Sequence, residues 1–167
     1  MTTPPATTNV TNEKALGVGV GDLAPDFTLK TQDRADWSLA EHVKKGDVVL
    51  CFYPLAFTGT CQVEMKCVND EMAAWTAKGA TVVGVSCDSF AANKAWADQL
   101  GLKQTLLSDL HRTVCKAYGL YWADLNVSQR GTVVIGQSPD GKGKITWTQA
   151  RTPGAAMDWE TILGQIG

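Results

Sequence analysis

Five cysteines, at positions 51, 61, 67, 87 and 115, are the residues of this 167-residue chain best suited to chemistry, and Cys61 stands at a distinctive place. The run Val48-Val49-Leu50-Cys51-Phe52-Tyr53 is apolar on both faces, rich in β-branched and aromatic residues, and stops at Pro54. Such a run reads as a buried strand. After Leu55-Ala56-Phe57-Thr58-Gly59-Thr60-Cys61, the residues Met65, Val68, Met72 and Trp75 fall on one helical face, in a pattern reaching about Lys78. Cys61 is therefore expected at a strand-loop-helix junction, in the first turn of the helix.

That position favours an anion. The first N–H groups of a helix lack partners within it, and the helix dipole adds partial positive charge there. Taking a cysteine from a pKa near ~8.5 to about 6 requires roughly 3 kcal/mol of preferential interaction with the thiolate. A helix end supplies about 1 to 2 kcal/mol, so a second cationic or hydrogen-bonding partner is needed. Thr58, three residues earlier, is one candidate; its plainer reading is an N-cap whose hydroxyl accepts from the Cys61 N–H.

The remaining cysteines form no zinc spacing and no C-x-x-C pair, and an odd count argues against a disulfide framework. Cys51, inside the strand, and Cys87, ending the apolar run Thr81 to Ser86, read as small core hydrophobes. Cys115, in a short helical pattern, is expected to be partly exposed and without a role. His42 and His111 have no catalytic spacing to a cysteine and read as surface histidines.

A net charge of -2 and a pI near 5.6 give no electrostatic case for nucleic acid or an anionic membrane. No apolar stretch approaches the ~18 to 20 residues that would span a bilayer. Met1 to Asn12 carries neither a basic nor an apolar region of a secretory signal. Residues 1–18 are expected to be a flexible tail and 19–167 a single domain, with Gly17 to Gly21 as a flexible entry into it. The chain is expected to be cytoplasmic, so Asn9-Val10-Thr11 and Asn126-Val127-Ser128 read as chance sequons. Gly136 to Lys142 fits G-x-x-x-x-G-K, but Gly143 replaces the Ser or Thr that would hold Mg²⁺ and the segment joins two strands, which argues against a nucleotide. No cofactor or metal is expected.

The elements that must hold Cys61 follow from periodicity. Short strands are expected over Asp26 to Leu29 and Trp37 to Leu39, a helical turn over Ala40 to Lys45, and a strand over Ala80 to Ser86. A helix capped by Asp88 or Ser89 should run to Gln99 and end at Gly101, followed by a strand over Thr105 to Leu107 and a helix from Thr113 to Tyr118. Arg130 to Gly136 and Lys144 to Thr148 flank the turn signal Ser138-Pro139-Asp140-Gly141, which makes a hairpin. Ala155 to Gln165 closes the chain as a helix. This order predicts an α/β fold in which a central mixed β-sheet is flanked by helices on both faces, matching a thioredoxin-like fold. Ligands of such sheets bind outside the carboxyl ends of the strands, where Pro54 to Cys61 lies.

Pro54 to Cys61 fits P-x-x-x-[TS]-x-x-C, and Glu64 continues it as C-x-x-E; Asp109, Ala117-Tyr118-Gly119 and Arg130 to Ile135 follow in order. In these blocks the chain resembles the peroxiredoxins, and most closely their AhpE-type branch, over roughly residues 19 to 165. The resemblance implies reduction of hydrogen peroxide and organic hydroperoxides through a Cys61 sulfenic acid, recycled by an external thiol. That reductant is a small thiol or a glutaredoxin- or thioredoxin-like protein, and a homodimer or higher homo-oligomer is implied as well. It assigns Arg130 to the thiolate and the departing oxygen, Thr58 to holding the thiolate or the peroxide, and Pro54 to walling the pocket. Glu64 lies near Cys61 on the helix and is expected to orient Arg130; its blander reading is a helix-dipole partner. Some peroxiredoxins carry a resolving cysteine five residues on; here Cys67 is six residues on, and a regular helix holds it out of disulfide reach. A one-cysteine enzyme is therefore expected, with Cys67 as the resolving candidate. Two other classes stay open: a non-catalytic redox sensor or chaperone of thioredoxin fold, and a disulfide reductase, which the missing C-x-x-C weakens.

Overall fold

The computed structural model describes residues 17–167. Nearly all of the expected tail, and the Asn9 sequon, lie outside the described residues. The elements are β1 (Thr28–Thr31), β2 (Asp36–Ser38), α1 (Leu39–Val43), β3 (Val48–Phe52), α2 (Gly59–Asp70), α3 (Met72–Ala77), β4 (Thr81–Ser86) and α4 (Phe90–Leu100), then β5 (Thr105–Ser108), α5 (Thr113–Ala117), β6 (Tyr121–Trp122), β7 (Val127–Ser128), β8 (Arg130–Ile135), β9 (Ile145–Arg151) and α6 (Trp159–Leu163). Seven strands form one sheet in the order β2-β1-β5-β4-β3-β8-β9, and β6 and β7 form a separate small hairpin.

The sheet is mixed, as the alternation of elements predicts. β3 pairs parallel with β4 and antiparallel with β8, and β4 pairs parallel with β5. β3 is buried at every position because both of its faces are covered. Its pleat sends Val48, Leu50 and Phe52 into a core with Leu39 and Val43 of α1 and Val114 and Cys115 of α5. Val49 and Cys51 point the other way, into a core with Cys61, Met65 and Val68 of α2, Trp75 of α3, Trp96 of α4 and Ile162 of α6. The two helical layers therefore lie on opposite faces of one sheet, in a thioredoxin-like arrangement.

Local signals explain most of the boundaries. Ser89 caps α4, its hydroxyl accepting from the Ala92 N–H at 3.1 Å, and Gly101 ends that helix in the left-handed region at φ 65°. The hairpin of β8 and β9 is antiparallel around the predicted turn, with one register shift after Val134. β1 begins two residues later than its alternation suggests, because the Asp26 carboxylate accepts from the Ala40 N–H instead of flanking a strand. The helix after Cys61 is broken: α2 ends at Asp70, Glu71 leaves the helical region at φ -99° and ψ 15°, and α3 restarts at Met72. Met65, Val68 and Trp75 stay buried across the break, while Met72 is only half-buried. β9 extends to Arg151, three residues past the expected end, and α6 is shorter than the expected Ala155 to Gln165.

Candidate active site

Cys61 is the third residue of α2, in its first turn, with Thr58 at the N-cap position. The loop before it is fixed at several points. Tyr53, the residue after β3, donates its hydroxyl to Asn93 Oδ1 of α4 at 2.8 Å, and Pro54 behind it is buried. The Ala56 N–H donates to Asp88 Oδ2 at 2.9 Å. Phe57 adopts φ 62°, which is uncommon for a bulky residue and bends the chain into the helix. Thr58 does not cap with its side chain. Its hydroxyl donates to the Leu55 carbonyl at 2.7 Å, which leaves the oxygen able to accept a hydrogen bond.

Arg130 opens β8, whose pairing with β3 lays it beside the loop. Its guanidinium is 3% exposed and each of its three nitrogens has a partner. Nη2 donates to Cys61 Sγ at 3.2 Å, Nη1 to Glu64 Oε1 at 2.6 Å, and Nε to the Pro153 carbonyl at 3.0 Å. This is the second, cationic partner that a helix end requires to hold a thiolate. Cys61 and Glu64, and Arg130 from far along the sequence, are brought together; Pro54 and Thr58 lie in the loop that leads into α2. Cys67 is half-buried further along α2, and burial first, with Glu71 and Asp70 adding to it, pushes its thiol up.

Glu64 is fully buried and accepts from two arginines. Its Oε2 lies 3.3 Å from Arg151 Nη2, and Arg151 Nη1 donates to Thr132 Oγ1 at 2.9 Å and Gln149 Oε1 at 3.0 Å. Burial pushes the Glu64 carboxyl up, opposed by Arg151 and Arg130; burial also pulls the Arg151 guanidinium down, opposed by Glu64. Arg151, Asp88 and Asn93 also build the site; of these, the sequence pointed only to Asp88, as a candidate helix cap. A cleft lined by Trp122, Gln129, Arg130, Arg151 and Pro153 lies beside this network.

Several other expectations change. Cys115 is fully buried, because Asp109 ties the first turn of α5 into the core through the Val114 and Cys115 N–H groups. His42 is half-buried rather than freely exposed: its ring stacks on Trp37 with centroids 4.2 Å apart, and Nδ1 lies 2.8 Å from the Ser38 carbonyl oxygen. Cys51 and Cys87 are buried as expected, and burial pushes the Cys51 thiol up to about 12.

A thioredoxin-like sheet that presents a cysteine at a helix start, against a buried arginine from the neighbouring strand, defines a thiol-chemistry protein of the peroxiredoxin kind. Residues 20–147 match the AhpC/TSA family, and the chain belongs to it. It is 34% identical to alkyl hydroperoxide reductase E of Mycobacterium tuberculosis over 154 residues, covering 89% of this chain and 98% of that protein. The structure of peroxidoxin BcpB from Mycobacterium tuberculosis superposes with a TM-score of 0.77 at 28% identity, over 87% of this chain and 94% of that one. Reduced 2-Cys peroxiredoxin of Plasmodium vivax gives a TM-score of 0.77 at 28% identity, over 86% of this chain and 78% of that one.

Proposed function

We propose that the chain is a thiol-dependent peroxidase that reduces hydrogen peroxide and organic hydroperoxides at Cys61. The contact of 3.2 Å between Arg130 Nη2 and Cys61 Sγ carries this reading. The Cys61 thiolate attacks the terminal peroxide oxygen, the O–O bond breaks, and the departing alkoxide or hydroxide takes a proton to become alcohol or water. Cys61 is left as a sulfenic acid. Charge moves from sulfur to oxygen during this step, and a guanidinium already bonded to the sulfur is placed to follow it. Thr58, whose hydroxyl proton is given to Leu55, offers lone pairs to the peroxide O–H. Pro54 shields the sulfur from bulk water, and Glu64 holds Arg130 in its rotamer.

An external thiol then attacks the Cys61 sulfenic acid, releasing water and forming a mixed disulfide that a second thiol resolves. The reductant is a small thiol or a glutaredoxin- or thioredoxin-like protein. Exposed Leu55 and Phe57 in the loop and Val63 on α2 offer apolar surface for a homodimer or a higher homo-oligomer. Five free thiols, one of which must return to the reduced state at every turnover, support a cytoplasmic setting. One domain over 19–167, preceded by a tail, is the organisation we infer; the seven-stranded sheet supports the domain, as do the bonds from Gly21 N to Ile145 O and from Ala24 N to Gly143 O that draw the incoming chain onto it. No helix among the described residues is long and apolar enough to cross a membrane. Steady-state hydroperoxide consumption with dithiothreitol as reductant tests the proposal. Sustained turnover supports an enzyme; one equivalent consumed and then none would make the chain a redox sensor.

A further inference from the structure

On the sheet face opposite Cys61, the Sγ atoms of Cys87 and Cys115 lie 3.8 Å apart. Cys87 follows the end of β4 and Cys115 sits on α5, 28 positions later. Both are free and buried, Cys87 at 4% exposure and Cys115 at none. Hydrogen bonds tie together the segments around them. The Asp109 N–H donates to the Ser86 carbonyl at 2.7 Å, and the Asp109 carboxylate accepts from the Val114 and Cys115 N–H groups at 3.1 and 2.7 Å. The ends of β4 and β5 and the start of α5 are thus joined around the two sulfurs.

We propose that Cys87 and Cys115 are a second redox couple, which hydroperoxide converts into an intramolecular disulfide without involving Cys61. A disulfide has an S–S length of about 2.05 Å. Sulfurs already in contact need to close by less than 2 Å, a movement that a side-chain rotation and a small shift of α5 supply. The pair is also polarised: the Cys115 thiol as hydrogen-bond partner pulls the Cys87 thiol below its ordinary value, and Cys87 pushes Cys115 up. Cys87, the more exposed of the two sulfurs, is the attacking one. It takes the terminal oxygen of the hydroperoxide, the O–O bond breaks, and the alcohol leaves. The Cys115 sulfur then attacks Cys87, the S–S bond forms, and the hydroxyl departs as water with the Cys115 proton. In sum, two thiols and one hydroperoxide give one disulfide, one alcohol and one water.

This couple goes beyond the peroxidase reading and does not depend on it. The test uses the full-length Cys61→Ser chain, so loss of the Cys61 chemistry cannot obscure the result. The chain is incubated with excess hydrogen peroxide, then analysed by intact mass and by peptide mapping without reductant. The expected result is a mass loss of two hydrogens, a linked Cys87–Cys115 peptide pair, a higher melting temperature, and reversal of all three by dithiothreitol. In Cys61→Ser/Cys115→Ser no bridge forms and Cys87 becomes trappable as a sulfenic acid; the parent variant alone decides the matter if the double variant does not fold. A sulfinic acid on Cys87 with no bridge, a bridge to Cys51 or Cys67 instead, or all four remaining thiols still alkylatable after unfolding would overturn the proposal. So would one tightly held zinc ion per purified chain that disappears in Cys115→Ser, because Asp109 and the two thiols bring their ligand atoms within 4.8 Å of one another.

Discussion

Arg130 and Arg151 are directly opposed across the pairing of β8 and β9, and both guanidiniums reach the same carboxylate, Glu64. Like charges facing each other on neighbouring strands repel. Glu64 rises from α2 into the space between them and neutralises one. Two cations against one carboxylate leave a single positive charge without a partner, and it lies against the Cys61 sulfur through Arg130. A thiolate completes the neutral set. Arg151 thus stops Glu64 from cancelling Arg130, and Glu64 stops the two arginines from separating.

Replacing Glu64 by Gln keeps the shape and removes the charge. Two buried guanidiniums then face each other with no counter-charge, a kind of change that costs about 3–5 kcal/mol. Thermal unfolding should begin at a clearly lower temperature. The peroxide reaction should slow by about tenfold to 100-fold, since Arg130 loses the bond that sets its position. Stopped-flow measurement of single-turnover oxidation, alongside a melting curve, checks both parts. An unchanged rate in a destabilised protein would leave Glu64 with a structural role only.

Arg130→Met should slow both alkylation of Cys61 by iodoacetamide and attack on peroxide, because the guanidinium that donates to the sulfur is gone and only the start of α2, worth about 1–2 kcal/mol for an anion, remains. Arg151→Met retains the Arg130–Cys61 contact and should slow both less. Equal rates for Arg130→Met and the parent protein would remove Arg130 from the chemistry.

Cys61→Ser should abolish rapid peroxide consumption. Cys51 lies in the same core face, but burial holds its thiol at about 12, so it contributes no nucleophile at neutral pH. Cys51→Ala should leave the rate intact and lower stability by about 1 kcal/mol through lost packing. Rapid reduction surviving in Cys61→Ser would place the reactive sulfur elsewhere.

Gly84 in β4 lets α2 approach the sheet. A Cβ there would meet Leu106 Cδ2 at 2.8 Å, Met65 Sδ at 2.9 Å and Tyr53 Cε1 at 3.0 Å. All three belong to the face that carries Cys61, and Met65 is one turn further along its helix. Gly84→Ala should cost about 1–3 kcal/mol by overpacking. It should also slow Cys61 oxidation, because it displaces α2 and Tyr53 together. A melting curve and a single-turnover rate on the same sample measure the two effects.

How much of this could be read in advance depended on distance along the chain. Cys61, Thr58 and Glu64 fall within seven positions of one another, so strand, loop and helix signals located them in one pass. Arg130 is 66 positions from Glu64 and was legible only through a motif. Arg151, 87 positions from Glu64, had no motif. Counting back from the turn at 138–141 along an unbroken hairpin brings position 149 opposite 130; the pairing with 151 depends on the register shift after Val134, which no turn signal announces. Two-residue strands such as β6 and β7 have too few positions for an alternation to register. The burial of Cys115 rests on the Asp109 carboxylate, a tertiary bond that helical periodicity does not encode.

The fate of the sulfenic acid follows from the helix that bears it. Cys61 and Cys67 both lie within α2, which is unbroken from Gly59 to Asp70. Six residues of helix separate their Cα atoms by a rise of about 9 Å, and a disulfide requires them within ~7 Å. Bridging would need the helix to unwind, taking Met65 and Val68 out of a core in which both are fully buried, at a cost of about 1.5–3 kcal/mol for each side chain. Unwinding would also pull Glu64 from its two arginines. The Cys67 thiol is pushed up by burial and by the acidic residues near it, so the thiolate that would attack is scarce at neutral pH. Cys61 should therefore persist as a sulfenic acid until an external thiol arrives. Dimedone added with one equivalent of hydrogen peroxide should label Cys61, and Cys67→Ser should turn over at the parent rate with dithiothreitol. Prompt loss of two hydrogens with a mapped Cys61–Cys67 bridge would show instead that α2 unwinds and that Cys67 resolves the enzyme.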